Sequence, residues 1–179
     1  MQILNWSKAY KFNKENYETI LKEELFDKMG VYMWVYKNNK KGYFVHYIGQ
    51  TKRSFRERLK EHFKAALSGK CYMYDMESNK NLTNEITRIG HKGNFEKKTY
   101  EEKYGTLSDA GEKYISSLEF LFAPLEINNI IDAGESYLIN KVIENRKESY
   151  KLFLINDVIP SHCNIEFENV FTENIVVNF

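Results

Sequence analysis

Residues 30–63 read GVYMWVYKNNKKGYFVHYIGQTKRSFRERLKEHF, and no other stretch restricts the fold of this chain so tightly. Gly30 to Tyr36 and Tyr43 to Ile48 are built from β-branched and aromatic residues, and Asn38-Asn39 with Gly42 supplies turn chemistry between them, so the pattern predicts a hairpin. Gly49 is expected to end the second strand. Ser54 then caps a helix over residues 55–67 with an apolar stripe of Phe55, Leu59, Phe63 and Ala66 or Leu67. Arg58 and His62 stand four residues apart on that helix, share one face, and lie directly beside the stripe, which places them near the sheet. Tyr32 and Tyr47 sit near the strand ends. Two phenols, a guanidinium and an imidazole form a site-like cluster that lacks an acid.

The flanking segments supply packing elements and one candidate acid. Residues 13–28 carry Tyr17, Ile20, Leu21 and Leu25 at helical spacing, with Asn13 as cap and Gly30 past the end, which predicts a packing helix. Residues 69–114 are polar and irregular, with a short helix expected over 80–89, and read as an insertion or functional lobe. Ile115 to Ile127 is the next strand candidate, with Pro124 pushing its later part to an edge or bulge. It should complete a three-stranded sheet. Ile131 to Asn145 shows an apolar stripe of Ile131, Leu138, Ile139, Val142 and Ile143, and Glu135 falls on it. An ionised acid there needs a salt bridge, a raised pKa or a metal ion, because burying it alone costs several kcal/mol or more. After residue 145 come a KLFLI run, Pro160, His162, Cys163 and Asn164, and two strand-like pieces, Ile165–Phe171 and Ile175–Val177, expected as a terminal hairpin or an added sheet edge.

At 179 residues with 42 % hydrophobic content the chain has enough apolar material for a real core, and one domain over 1–179 is the expectation. Its core is expected at 28–68 and 115–145, and 146–179 is a C-terminal extension. The net charge is +1, but it is unevenly spread. Residues 37–70 hold ten Lys/Arg against Glu57 and Glu61, about +8 locally, while residues 119–179 hold ten acids against four basic residues. Such asymmetry suggests a polyanion on one side, with Gln50, Lys52, Arg53, Arg56, Lys60 and Lys64 as its contacts; a solvated helix face is the plain alternative. Two cysteines without CxxC spacing, no signal peptide and no long apolar run point to a reducing cytoplasm and no membrane partner. His62, Cys71, His91, His162 and Cys163 lack structural-zinc spacing.

Gly30-Val31-Tyr32, then Tyr47-Ile48-Gly49, then Arg58 and His62 on a helix, then Glu135 on a later helix resemble the GIY-YIG nuclease family in the right order. The resemblance is strong over 28–68 and weaker over 115–145. It implies an α+β fold, a small three-stranded antiparallel sheet flanked by helices, and a Mg²⁺-dependent (or Mn²⁺-dependent) DNA endonuclease that hydrolyses phosphodiesters, of restriction or mobile-element type and able to cut as a homodimer. Within it Glu135 is the metal ligand, Tyr32 activates or orients the water, Tyr47 assists, Arg58 neutralises phosphoryl charge, and His62 assists proton transfer or contacts a phosphate. Relatives often carry a late asparagine, for which Asn164 is the first candidate and Asn156 the second. The chain departs from the family in its longer tyrosine spacing, which turns are expected to absorb, and in Gln50 where many relatives have lysine. The competing reading is a catalytically inactive nucleic-acid-binding module on the same fold, in which the tyrosines are ordinary strand aromatics and the basic helix contacts phosphates without chemistry.

Overall fold

Gly30 to Asn38 forms a strand whose residues 30–35 are all buried, because helices cover both of its faces. The computed structural model describes residues 1–38, 42–68, 70, 71, 73–75, 87–90, 105–145, 165–172 and 175–179. In chain order these form β1 (Gln2–Trp6), a single turn α1 (Tyr17–Ile20), a 3-10 turn (Glu24–Asp27), β2 (Gly30–Asn38), β3 (Gly42–Thr51), α2 (Phe55–Leu67), β4 (Met73–Asp75) and β5 (Thr87–Gly90). Then follow α3 (Leu107–Ser116), β6 (Glu119–Pro124), α4 (Asn128–Asn145), β7 (Phe167–Phe171) and β8 (Val177–Asn178).

The main sheet has the order β6-β2-β3-β8. β2 pairs antiparallel with β3 from Gly30↔Thr51 to Asn38↔Gly42 and antiparallel with β6 from Gly30↔Pro124 to Val35↔Glu119. The expected α+β architecture with a three-stranded antiparallel sheet flanked by helices is therefore present, and β8 extends it by a short parallel pairing with β3. Alternation along β2 divides two cores. Tyr32 and Trp34 face α2 in an aromatic core with Phe12, Phe26, Phe55, Phe63, Phe120 and Phe122. Val31, Met33 and Val35 face α4 in a mostly aliphatic core with Ile48, Leu121, Ile131, Leu138 and Ile139.

The helix after the hairpin matches its sequence pattern residue for residue. Glu57 N donates to Ser54 Oγ at 3.2 Å and Ser54 N donates to Glu57 Oε2 at 3.3 Å, a reciprocal capping box that starts α2 at Phe55. Phe55, Leu59, Phe63 and Ala66 are its buried stripe.

Several expectations change. The helix predicted over 13–28 is broken into α1 and the 3-10 turn, with Asn13 Oδ1 accepting from the Glu15 and Asn16 amides in a turn instead of capping a long helix. Leu21 and Phe26, both fully buried, are five residues apart and would point in divergent directions on one helix; the break lets both reach the core. Gly49 does not end β3, which runs on to Thr51. The extra spacing between the tyrosines lies in the strands, nine and ten residues long, and in a register shift between Trp34 and Val35 that leaves His46 as an extra residue. Of the predicted turn, residues 39–41 lie outside the described residues.

Residues 107–114 of the segment read as an irregular insertion lie in α3, a helix with its own capping box from Thr106 and Asp109. It takes Ile115 with it, so β6 begins only at Glu119, and Pro124 closes β6 at the sheet edge. Of the helix expected over 80–89, residues 87–89 instead belong to β5, which pairs with β4; the remainder lies outside the described residues. On α4, Ile143 is 46 % exposed, because it falls off the stripe centred on Ile131, Leu138 and Val142. The two tail pieces do not form a hairpin with each other. β7 pairs parallel with β1, and only β8 joins the main sheet.

Candidate active site

Tyr32 projects from β2 towards α2, opposite Gly49 on β3. A Cβ placed on Gly49 would collide with the Tyr32 ring and hydroxyl, so glycine is required there by close approach of the ring. Tyr47 pairs with Trp34 across the ladder, and its ring centroid lies 6.1 Å from that of Tyr32 and 5.8 Å from that of His62. From α2, His62 Nε2 lies 2.8 Å from Tyr32 Oη and Arg58 Nε donates to the same oxygen at 3.2 Å. Two of the residues chosen from the motif, Arg58 and His62, thus converge on the Tyr32 oxygen, and the ring of the fourth, Tyr47, packs beside them.

Trp34 was not singled out by the sequence. Its ring lies 4.8 Å from both Tyr47 and His62, flooring the cluster, and its place two residues after Tyr32 on the strand was the available signal. Glu61 was also missed. It accepts from Arg53 Nη2 at 2.9 Å and Arg58 Nη1 at 3.2 Å, and its position three residues after Arg58 on a helix was the clue. At the bulge, His46 Nε2 lies 2.8 Å from Tyr114 Oη in a buried pair that ties α3 to the strand carrying Tyr47.

Burial and charge set the protonation of this cluster. Burial is the main reason the Tyr32 phenol is held far above its ordinary range; the Tyr47 phenol adds to this, and Arg58 opposes it without prevailing. Tyr47 is raised too, chiefly by burial, with Arg58 pulling it down and Glu135 pushing it up. Both phenols are therefore protonated at neutral pH. Burial, with the Arg58 cation adding to it, depresses His62 to about 3, so its imidazole is neutral. A neutral imidazole has one acceptor nitrogen, and the arrangement that satisfies every group has Arg58 donating to Tyr32 Oη while Tyr32 donates to His62 Nε2.

Glu135 stands on α4 between the buried positions Ile131 and Ile139 and is half-buried. Burial, with the neighbouring Asp132 adding to it and Arg58 opposing it, raises its carboxyl to about 7. Glu135 is thus within electrostatic reach of both Tyr47 and Arg58. Asp132 itself is bound by Lys52 Nζ at 2.7 Å. Glu135 has no such ion pair among the described residues. A carboxylate in that condition suits a hard divalent cation, and Mg²⁺ commonly takes one or two carboxylates and keeps several waters. Among the described residues no group of three or more His, Cys, Asp or Glu side chains is arranged to hold a metal, so a cation at Glu135 depends on further oxygen donors of another kind. Gln50 Oε1 is buried without a hydrogen-bond partner, a condition that costs about 1–3 kcal/mol for an acceptor.

The basic residues separate into two groups. Lys52 and Arg53 follow β3 at the end that carries the site, where they meet Asp132 and Glu61. Arg56, Lys60 and Lys64 lie across the buried stripe of α2 from Arg58 and His62, by the rotation of a helix with 3.6 residues per turn. Arg56 is committed to the fold, since its Nε donates to Leu21 O at 2.7 Å and its Nη1 pairs with Asp27 at 2.5 Å. Lys60 pairs with Glu18 at 3.6 Å. Asn164 and Asn156 lie outside the described residues. No helix among the described residues is long and apolar enough to cross a membrane.

The family model described as the GIY-YIG catalytic domain matches residues 28–115. No curated protein and no solved structure matches the chain. The matched span contains Tyr32, Tyr47, Gln50, Arg58 and His62 and ends before Glu135, which the fold brings within electrostatic reach of Tyr47 and Arg58.

Proposed function

We propose, from the match of residues 28–115 to the GIY-YIG catalytic domain, which supports a nuclease-type function, that this chain is a divalent-metal-dependent DNA endonuclease of restriction or mobile-element type, working in the cytoplasm. The observation that carries this reading is the Tyr32 oxygen held between Arg58 Nε and His62 Nε2 within a cluster whose other members feel the charge of Glu135.

Hydrolysis of a phosphodiester requires a water to lose a proton as its oxygen bonds phosphorus, while the bond to the 3′ oxygen breaks. A free Tyr32 phenolate is disfavoured by burial, so the proton moves by relay: Tyr32 accepts it at Oη while releasing its own to His62 Nε2 at 2.8 Å. The arriving phosphate makes this possible, because an anion beside His62 raises its depressed pKa. Tyr32 is 1 % exposed, so the water enters beside Arg58 and Tyr47. Tyr47 orients that water or a phosphoryl oxygen, and Arg58 faces the charge that develops on the phosphoryl group. Glu135 would hold Mg²⁺ or Mn²⁺, which supplies Lewis-acid stabilisation of the leaving oxygen when bound. Lys52 and Arg53 hold the flanking phosphates.

The test is nicking of supercoiled plasmid by purified protein with Mg²⁺, comparing wild type with Glu135→Ala and Tyr32→Phe. Loss of nicking in both variants with DNA retention intact supports the enzyme. Retention of DNA by a wild type that never nicks overturns it in favour of a binding module.

A further inference from the structure

Gln50 follows Tyr47-Ile48-Gly49 on β3 and is the cross-strand partner of Val31, so both side chains leave the sheet on the same face. That face is covered by α4. A Cβ on Gly134 would meet Val31 Cγ1 at 3.3 Å, and Val31 packs with Ile131 and Leu138 in one core. Two residues beyond Gln50, Lys52 Nζ bonds Asp132, which brings the end of β3 past the first turns of α4. Glu135 follows Gly134 directly, and its charge reaches Tyr47, three residues before Gln50. Val31, the cross-strand partner of Gln50, and Lys52, two residues beyond it, therefore both meet the segment 132–134 that leads into Glu135.

The carboxamide oxygen of Gln50 is buried and has no hydrogen-bond partner among the described residues. Such an oxygen only accepts, so what it lacks is a donor or a cation. Lys52, the cation two residues further along the chain, is already engaged with Asp132. Hard divalent cations take amide oxygens alongside carboxylates.

We propose that Gln50 Oε1 is the second protein oxygen, beside the Glu135 carboxylate, that holds the divalent cation of this site. This rests on the reading of the site as metal-dependent. A carboxylate and a neutral amide leave the bound cation with an excess positive charge, which a DNA phosphate completes; a second carboxylate would remove that attraction. Gln50 is then a positioning residue for the cation rather than a reader of DNA.

The experiment is a Mn²⁺ titration of the metal-free full-length protein, followed by the paramagnetic resonance of free Mn²⁺, for wild type, Gln50→Met, Gln50→Glu and Glu135→Gln, with duplex affinity measured in chelator and folding checked by circular dichroism. Gln50→Met should weaken Mn²⁺ binding about tenfold and leave metal-free duplex affinity unchanged, while Gln50→Glu should bind Mn²⁺ more tightly than wild type. Wild-type Mn²⁺ affinity in Gln50→Met overturns the proposal, whether or not duplex affinity falls. Should Gln50→Met not fold, absence of tightening in Gln50→Glu overturns it. If Glu135→Gln alone loses Mn²⁺, only the role of Gln50 fails; if Glu135→Gln binds Mn²⁺ like wild type, the metal-dependent reading fails with it.

Discussion

Gly49 and Tyr32 face each other across the β2–β3 ladder, and the phenol lies so close over the glycine that a methyl group cannot be placed between them. The glycine of the second motif thereby sets the position of the tyrosine of the first, and through it the distances to Arg58 and His62. Gly49→Ala should displace the ring, lower nicking by about 10²-fold and cost about 1–3 kcal/mol of stability through overpacking. Plasmid nicking at matched folded fraction and urea denaturation read the two effects. Wild-type values in both would show that the ring has room the structure denies it.

Tyr32→Phe removes the oxygen on which Arg58 and His62 converge and leaves the aromatic packing in place. Single-turnover nicking should fall by about 10²- to 10⁴-fold, with duplex affinity in chelator unchanged. His62→Gln should lower the same rate and alter its pH profile, because the proton acceptor of the relay is lost. A Tyr32→Phe enzyme that nicks at the wild-type rate removes Tyr32 from the chemistry.

Two groups drive the pH dependence of metal-free stability in opposite directions. His62, lowered to about 3 by burial and Arg58, binds fewer protons folded than unfolded, so its stabilising contribution is complete above about 6.5 and is lost as pH falls. Glu135, raised to about 7 by burial and Asp132, binds more protons folded than unfolded, so its contribution is complete below about 4.5 and is lost as pH rises through 7. Between pH 5 and pH 7, on the order of 1 kcal/mol of change each way is expected after allowing for solvent screening. Glu135→Gln should therefore gain stability over that range as pH rises, and His62→Gln should lose it. Chemical denaturation at pH 5, 6 and 7 tests the signs, and parallel slopes in the two variants would contradict the opposed shifts.

Arg56 and Arg53 are three residues apart and have different work. Arg56→Ala should cost about 1–2 kcal/mol by releasing Leu21 O and Asp27, with little change in duplex affinity. Arg53→Ala should leave stability within about 0.5 kcal/mol and reduce by about 1 the slope of log affinity against log salt. Urea denaturation and salt-dependent duplex binding distinguish them. An unchanged salt slope in Arg53→Ala would remove it from the DNA contact surface.

What the sequence determined by itself lies where local pattern and capping decide structure. The start of α2 follows from Ser54 and Glu57, its buried stripe from the spacing of Phe55, Leu59, Phe63 and Ala66, and the common face of Arg58 and His62 from their spacing of four. The hairpin and the assembly of Tyr32, Tyr47, Arg58 and His62 follow from those same elements and the motif they carry. Tertiary structure decided what depends on partners far along the chain. Leu21 and Phe26 both needed the core, and that broke a helix that periodicity alone would continue. β7 found β1 from the opposite end of the sequence, a pairing no local window contains. Distant partners also engaged two basic residues of α2, Arg56 with Leu21 O and Asp27 and Lys60 with Glu18. The protonation of Tyr32, His62 and Glu135 was decided there as well, since desolvation is a property of the packed molecule. Gly49 belongs to both: the motif required a glycine, and only the folded ladder gave the reason, the Tyr32 ring lying across it.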